Sequence, residues 1–309
     1  MIVYKELSSL SFDLGFSPKA LYAASNHAVS HYRTRKIPKS NGETRTLNVP
    51  DGFMKAVQRS IAEKLLAYEY VSKYAFAYKS GTSTVSNAKP HLGNSTVLKM
   101  DIRHFFDSIT YPMVKEKVFK ADKYSEANRI LLSILCVYKD NIPQGAPTSP
   151  AISNIIMSEF DDRLGAWCSD RGITYTRYCD DMTFSGDFDT YEVKAHVTKE
   201  LEKTGFFVNC KKTVTVHNGQ RKNVTGIVVN DKLNVPSSYR KNIRKDIYYC
   251  RKFGVESHLK CIGADTDKNG YLHSLLGRIN YVLSIDGKNS EMKEYKSFVI
   301  SQINENSTP

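Results

Sequence analysis

Long hydrophobic runs are missing from this sequence. The most apolar stretch, Ile130 to Tyr138, falls far short of the ~18 residues a membrane helix needs, so no spanning segment is expected. The opening MIVYKELSSLSFDLGF has an early acid and no long apolar core, which argues against a secretory signal and for a soluble, cytoplasmic chain. Cysteine is sparse and scattered. The six thiols include no C-x-x-C pair, which excludes a disulfide framework or a paired-cysteine zinc site. Proline and glycine are too dispersed for a linker or low-complexity segment, and no internal repeat is present. Acid is the scarcer charge, 32 Asp+Glu against 44 Lys+Arg, and the resulting +12 favours a polyanionic partner.

What is present is a globular mix, 41% hydrophobic and 25% charged over 309 residues, enough for about two domains. Ser17-Pro18 reads as a cap and first helical residue, predicting a helix to about Ser30. Two short basic runs around Ser40-Asn41-Gly42 predict a hairpin within residues 31–50. Asp51 can cap the next helix, where Phe53, Val57, Ile61 and Leu65 form an apolar stripe. TVLKMDI (96–102) reads as a strand that delivers Asp101. Ser149-Pro150 opens a helix that buries Ile152, Ile155, Ile156, Phe160, Leu164 and Trp167 and stops at Gly172. A strand, ITYTRY, then leads to Cys179-Asp180-Asp181, and MTFS returns from it. A helix from about Thr190 ends at Gly205, and FFVNCKKTVTV and NVTGIVVN follow as strands around Asn218-Gly219. After Pro236 the pattern is helical only.

Two adjacent carboxylates at a hairpin tip, Asp180 and Asp181, repel each other unless a cation neutralises them. Mg2+ suits such oxygen donors and keeps coordination sites for a phosphate ligand. The bland alternative is that Asp is a good turn residue. Asp101 is 79 positions earlier, but neighbouring strands could bring it alongside Asp180, the arrangement that holds two metal ions for in-line phosphoryl transfer. A strand-end Asp paired with Lys99 or Arg103 is the alternative. In IPQGAPTSP (142–150), Gly145 permits close backbone approach and the helix start at Thr148-Ser149 favours anions.

These segments together resemble a reverse transcriptase. The fingers pattern matches KIPKSNGETRTLNVP, the first palm motif MDIRHFFDSI, the second IPQGAPTSPAISN and the Y-x-D-D motif YCDD. GFFVNCKKT and VTGIVV resemble the lysine motif and the primer grip, and all six occur in order. NAKPH (87–91) and Val224-Thr225-Gly226 resemble the N-A-x-x-H and V-T-G patterns of retron reverse transcriptases, and LLGRINYVLSID (275–286) resembles a thumb segment.

The resemblance implies an α+β right-hand polymerase, with N-terminal helices and fingers over 1–95, palm over 96–235 and a small helical thumb over 236–309. It implies that Asp101, Asp180, Asp181 and the Ile102 carbonyl hold two Mg2+ ions. Phe106 falls at the steric gate that selects dNTPs, and Lys39, Arg45, Gln144 and Gly145 at nucleotide contacts. Lys212 falls near the leaving pyrophosphate, with Lys211 one register away. Asn87, His91, Val224, Thr225 and Gly226 match retron-specific structure and RNA recognition, a buried histidine being the alternative for His91. Arg240, Lys241, Arg244 and Lys245, with Arg251 and Lys252, form a basic stripe fit to follow a template–primer backbone. The implied partners are a cognate noncoding RNA, its DNA product and a separate effector protein, with a role in antiphage defence. Two other readings stand beside this one: a non-retron reverse transcriptase using a conventional primer, and a catalytically silent RNA-binding relative.

Overall fold

The computed structural model describes residues 3–38, 42, 44–263 and 266–305. Two compact units make up the chain, Met1–Thr82 with Leu98–Thr215 and Ser83–Val97 with Val216–Pro309. Among the described residues no helix is long and apolar enough to cross a membrane.

The first unit opens with α1 (Leu7–Leu14) and α2 (Pro18–Asn26). The Ser17 hydroxyl accepts from Ala20 N at 3.2 Å, so the cap is where the sequence puts it. The helix ends earlier than expected, at Asn26, and a 3-10 turn over Ala28–His31 takes up the remainder. Strands β1 (Tyr32–Pro38) and β2 (Thr44–Pro50) pair antiparallel, with Tyr32 opposite Pro50; the Ser40-Asn41 part of the connection and Lys39 lie outside the described residues. Asp51 caps α3 (Gly52–Ile61) by accepting from Met54 N at 2.9 Å. Val57, Ile61 and Leu65 are buried, whereas Phe53 is exposed and Met54 takes its place inside.

A four-stranded sheet pairs, in order, Thr174–Tyr178 (β4), Asp181–Gly186 (β5), Thr96–Asp101 (β3) and Val214–Val216 (β6). Strand β3 (Thr96–Asp101) is followed by the short helices α5 (Tyr111–Met113) and α6 (Glu126–Cys136), and then by α7 (Ser149–Ser169). Thr148, not Ser149, occupies the cap position of α7. The Ser149 hydroxyl instead donates to the Pro143 carbonyl at 2.8 Å and ties down the loop before the helix. Ile152, Ile156, Phe160 and Leu164 are buried as expected; Ile155 and Trp167 are half-buried. Strands β4 (Thr174–Tyr178) and β5 (Asp181–Gly186) form the predicted hairpin, with Tyr178 opposite Asp181. Helix α8 (Thr190–Glu202) precedes a segment that departs from expectation. Only Val214–Val216 is a strand (β6), because the chain turns through a 3-10 helix at Cys210–Lys212.

One buried ion pair binds this unit together. The Arg177 side chain on β4 and Asp161 on α7 are both fully buried, joined by contacts of 2.6–3.0 Å. Tyr175 donates to Asp161 at 2.8 Å, and Arg177 also donates to Asn154 Oδ1 at 3.2 Å and to the Cys179 carbonyl at 2.9 Å.

In the second unit α4 (Thr84–Ala88) starts with a capping box between Ser83 and Ser86. VTGIVV is a tight hairpin and not one strand: β7 (Asn223–Val224) pairs antiparallel with β8 (Ile227–Val228), and the turn residues Thr225 and Gly226 have φ of 46° and 83°. Two positive φ values suit a primed two-residue turn, and Gly226 adopts its value without strain. Strand β7 therefore pairs with β8, not with β6 around Asn218-Gly219. Four helices follow, α9 (Ser237–Phe253), α10 (Val255–Ile262), α11 (Lys268–Ile285) and α12 (Ser290–Glu305), packed around Ile243, Ile247, Leu272, Leu275, Ile279 and Val299.

Asp161→Ala leaves the Arg177 guanidinium buried without its counter-charge. We expect a loss of about 3–5 kcal/mol in urea unfolding. The exposed pair Arg163–Glu159 serves as the control: Arg163→Ala should change stability by less than ~1 kcal/mol.

Candidate active site

Asp101 ends β3 with 4% of its surface exposed, and it sits next to the β4–β5 turn, because the Ile102 amide donates to the Asp180 carbonyl at 2.9 Å. Its carboxylate does not pair with Lys99 or Arg103. Lys212 Nζ lies 2.7 Å from Oδ2, and Asn209 Nδ2 donates to Oδ1 at 2.9 Å. The Asn209 amide also bonds the Asp101 carbonyl at 2.7 Å, which explains why residues 209–213 turn here instead of continuing as a strand. Of the two neighbouring lysines, Lys212 is the one that reaches Asp101.

Asp101, Ile102, Phe106, Asp180 and Asp181 line one cleft of about 1020 Å3, together with Arg45, Gln144, Lys211 and Lys212. Burial in the cleft walls pushes the Asp181 carboxyl up to about 6, and repulsion from Asp180 and Asp101 adds to it, although the residue as a whole is solvent-exposed. The Asp101 carboxylate in turn raises the pKa of the Lys212 ammonium, chiefly through their hydrogen bond. Cys179, at the tip of the turn, has a φ of 61°, and burial pushes its thiol up to about 12.

The donor chemistry fits a hard divalent cation: carboxylate oxygens crowd here, and an ammonium already neutralises one of them. Among the described residues, however, no three acidic, histidine or cysteine side chains are gathered closely enough to form a metal centre.

The other sequence-derived residues divide. Gly145 is exposed beside Gln144, and its φ of 107° is the reason for glycine. Asn87, His91 and Val224 are buried in the second unit. Burial lowers the His91 pKa to about 4, and Asn87 Nδ2 donates to Thr225 Oγ1 at 3.4 Å. In the turn that follows Val224, Thr225 is half-buried and Gly226 is exposed. The basic stripe of α9 is partly neutralised: Arg244 forms a two-pronged pair with Glu291 and Arg251 pairs with Glu294, while Lys241 and Lys245 are exposed and Arg240 is half-buried. Sequence reasoning missed Asn209 and Tyr78. Asn209 lies inside a quoted motif without an assigned role. Tyr78 is 101 positions from the turn it touches and carried no local signal.

The raised Asp181 value has a pH consequence. Below about pH 4 this carboxyl is protonated whether folded or unfolded. Between about pH 4 and 6 only the folded state keeps the proton, so its stabilising share is lost as pH rises through 6. In metal-free protein, Asp181→Asn should therefore melt above the parent at pH 7.5 and level with it at pH 4.

Residues 37–249 match the family described as reverse transcriptase (RNA-dependent DNA polymerase). The chain is 33% identical to the retron Mx65 reverse transcriptase of Myxococcus xanthus over 83% of its own length and 66% of that protein's. It is 31% identical to the retron Ec86 reverse transcriptase of Escherichia coli, covering 83% of this chain and 77% of the relative. For the retron Ec83 reverse transcriptase of Escherichia coli the values are 32%, 71% and 75%. With the β4–β5 hairpin and its paired acids on an α+β scaffold of the right-hand polymerase class, the chain belongs to the reverse transcriptase family and, within it, to the retron type.

Proposed function

We propose that this protein copies a cognate structured noncoding RNA into DNA by adding dNTPs at the cleft of Asp101, Asp180 and Asp181. The observation that carries the reading is the meeting, in one cleft, of the β3 terminus with a turn 79 positions away in sequence. Asp101, Asp180, Asp181 and the Ile102 carbonyl are the groups that would hold Mg2+, as two ions. When bound, such ions lower the pKa of an attacking hydroxyl and stabilise the leaving pyrophosphate.

The remaining work falls to the side chains. Arg45, with Lys39, would neutralise the triphosphate, and Gln144 and Gly145 would border the incoming nucleotide. The Phe106 ring would exclude a ribose 2′-OH. Lys212, which reaches Asp101 at the cleft wall, would serve as proton donor to the leaving group. Lys241 and Lys245, with Arg240 and Arg244, would follow the nucleic-acid backbone, and the Thr225–Gly226 turn offers a further contact. On this reading the fingers are residues 1–95, the palm 96–235 and the thumb 236–309. Membership of the retron type supports priming from an RNA 2′-OH to give branched RNA–DNA (msDNA), a separate effector protein, and a cytoplasmic role in antiphage defence.

Primer extension on an RNA template with Mg2+ should vanish in Asp180→Asn while RNA affinity largely survives; equal extension by variant and parent would refute the assignment. Nucleic acid copurifying with the protein should contain DNA joined to RNA through a 2′,5′ branch, and a linear product would remove the priming step. The double variant Lys241→Ala/Lys245→Ala should weaken RNA binding, with the slope of log affinity against log salt shallower by about 1.5.

A further inference from the structure

Residues 70–78 run as a strap along α7 and β4. On the α7 side, Tyr70 and Ser72 donate to Asp162 at 3.0 and 2.7 Å, and Asn154 Nδ2 donates to the Ala77 carbonyl at 2.8 Å. The Tyr74 ring lies over Gly165, where a Cβ would come within 2.0 Å of it. On the β4 side, the Arg177 amide donates to the Tyr74 carbonyl and the Phe76 amide to the Arg177 carbonyl, both at 2.8 Å. The strap ends at Tyr78, whose φ of 58° swings the chain out of line. Its side chain enters the cleft, the residue 55% exposed, and its hydroxyl donates to Cys179 Sγ at 3.5 Å.

Cys179 is the residue before Asp180, and its left-handed backbone is one that a non-glycine residue adopts only when its surroundings impose it. Three contacts impose it here. Arg177 holds the Cys179 carbonyl, and the Ile102 amide holds the Asp180 carbonyl. The first comes from β4 and the second from the residue that follows β3. The third, Tyr78 on the thiol, is made from the cleft side by the strap.

We infer that Tyr78 is a positioning residue for nucleotide addition: the strap brings its hydroxyl to the Cys179 thiol and so fixes the turn that presents Asp180. The inference rests on the polymerase reading above. Tyr78→Phe removes only the hydroxyl and leaves the ring and the strap in place. It should lower kcat for dNTP addition about three- to tenfold, the worth of one modest hydrogen bond, with KM for dNTP unchanged. Cys179→Ala should do the same, and the double variant should lose no more than either single one, because both remove the same contact.

In the full-length protein without nucleic acid, Cys179 should react faster with iodoacetamide in Tyr78→Phe than in the parent, read by peptide mass. Parent-like kcat and alkylation in Tyr78→Phe would overturn the inference, as would additive losses in the double variant. A raised KM at unchanged kcat would also overturn it, reassigning Tyr78 to nucleotide contact. Absence of extension by the parent protein would instead sink the polymerase reading itself.

Discussion

The Arg177 guanidinium decides where everything else in the first unit can be. It is fully buried, and a buried cation is tolerated only when its donors are met by fixed acceptors. Asp161, Asn154 and the Cys179 carbonyl meet them, from a helix and from the turn that carries Asp180 and Asp181. A planar fork can reach all of these at once, whereas an ammonium would leave acceptors unfilled. Helix α7, strand β4 and the Asp180 turn are thus one electrostatic piece.

A few residues away charge is handled in the opposite way. At Asp161 the balance is closed, acid against base, with Tyr175 filling a remaining lone pair. In the cleft it is left open. Asp181 is raised by burial and by its acidic neighbours, Asp101 borrows an ammonium from Lys212, and Cys179 holds an unfavourable backbone angle. Local discord of this kind is retained where a site must accept something from outside, and the saturated pair beneath it supplies the rigidity.

The legible parts of the sequence were those written in neighbouring residues. Ser17 and Asp51 cap their helices as read, and Y-C-D-D forms a hairpin tip with Tyr178 facing Asp181. The misreadings have long-range causes. Residues 205–216 have the apolar and β-branched content of a strand, but Asn209 and Lys212 turn the chain to reach Asp101. Ser149 has the chemistry of a cap and spends it on Pro143. VTGIVV hides a turn because Thr225 takes a positive φ that β-branched residues avoid. In the site, the acids were visible as a motif. Tyr78 and the Lys212–Asp101 pair were not, since nothing local marks a contact made across a hundred positions.

Gly165 faces inward along α7 and does not line the cleft. The space opposite its α-carbon is already filled by the Tyr74 ring. A single methyl there would collide with the aromatic plane, and the displaced ring would pull at the carbonyl that receives the Arg177 amide. The most conservative enlargement of an inconspicuous residue would therefore be felt in the acidic cleft, carried by backbone and not by diffusible charge.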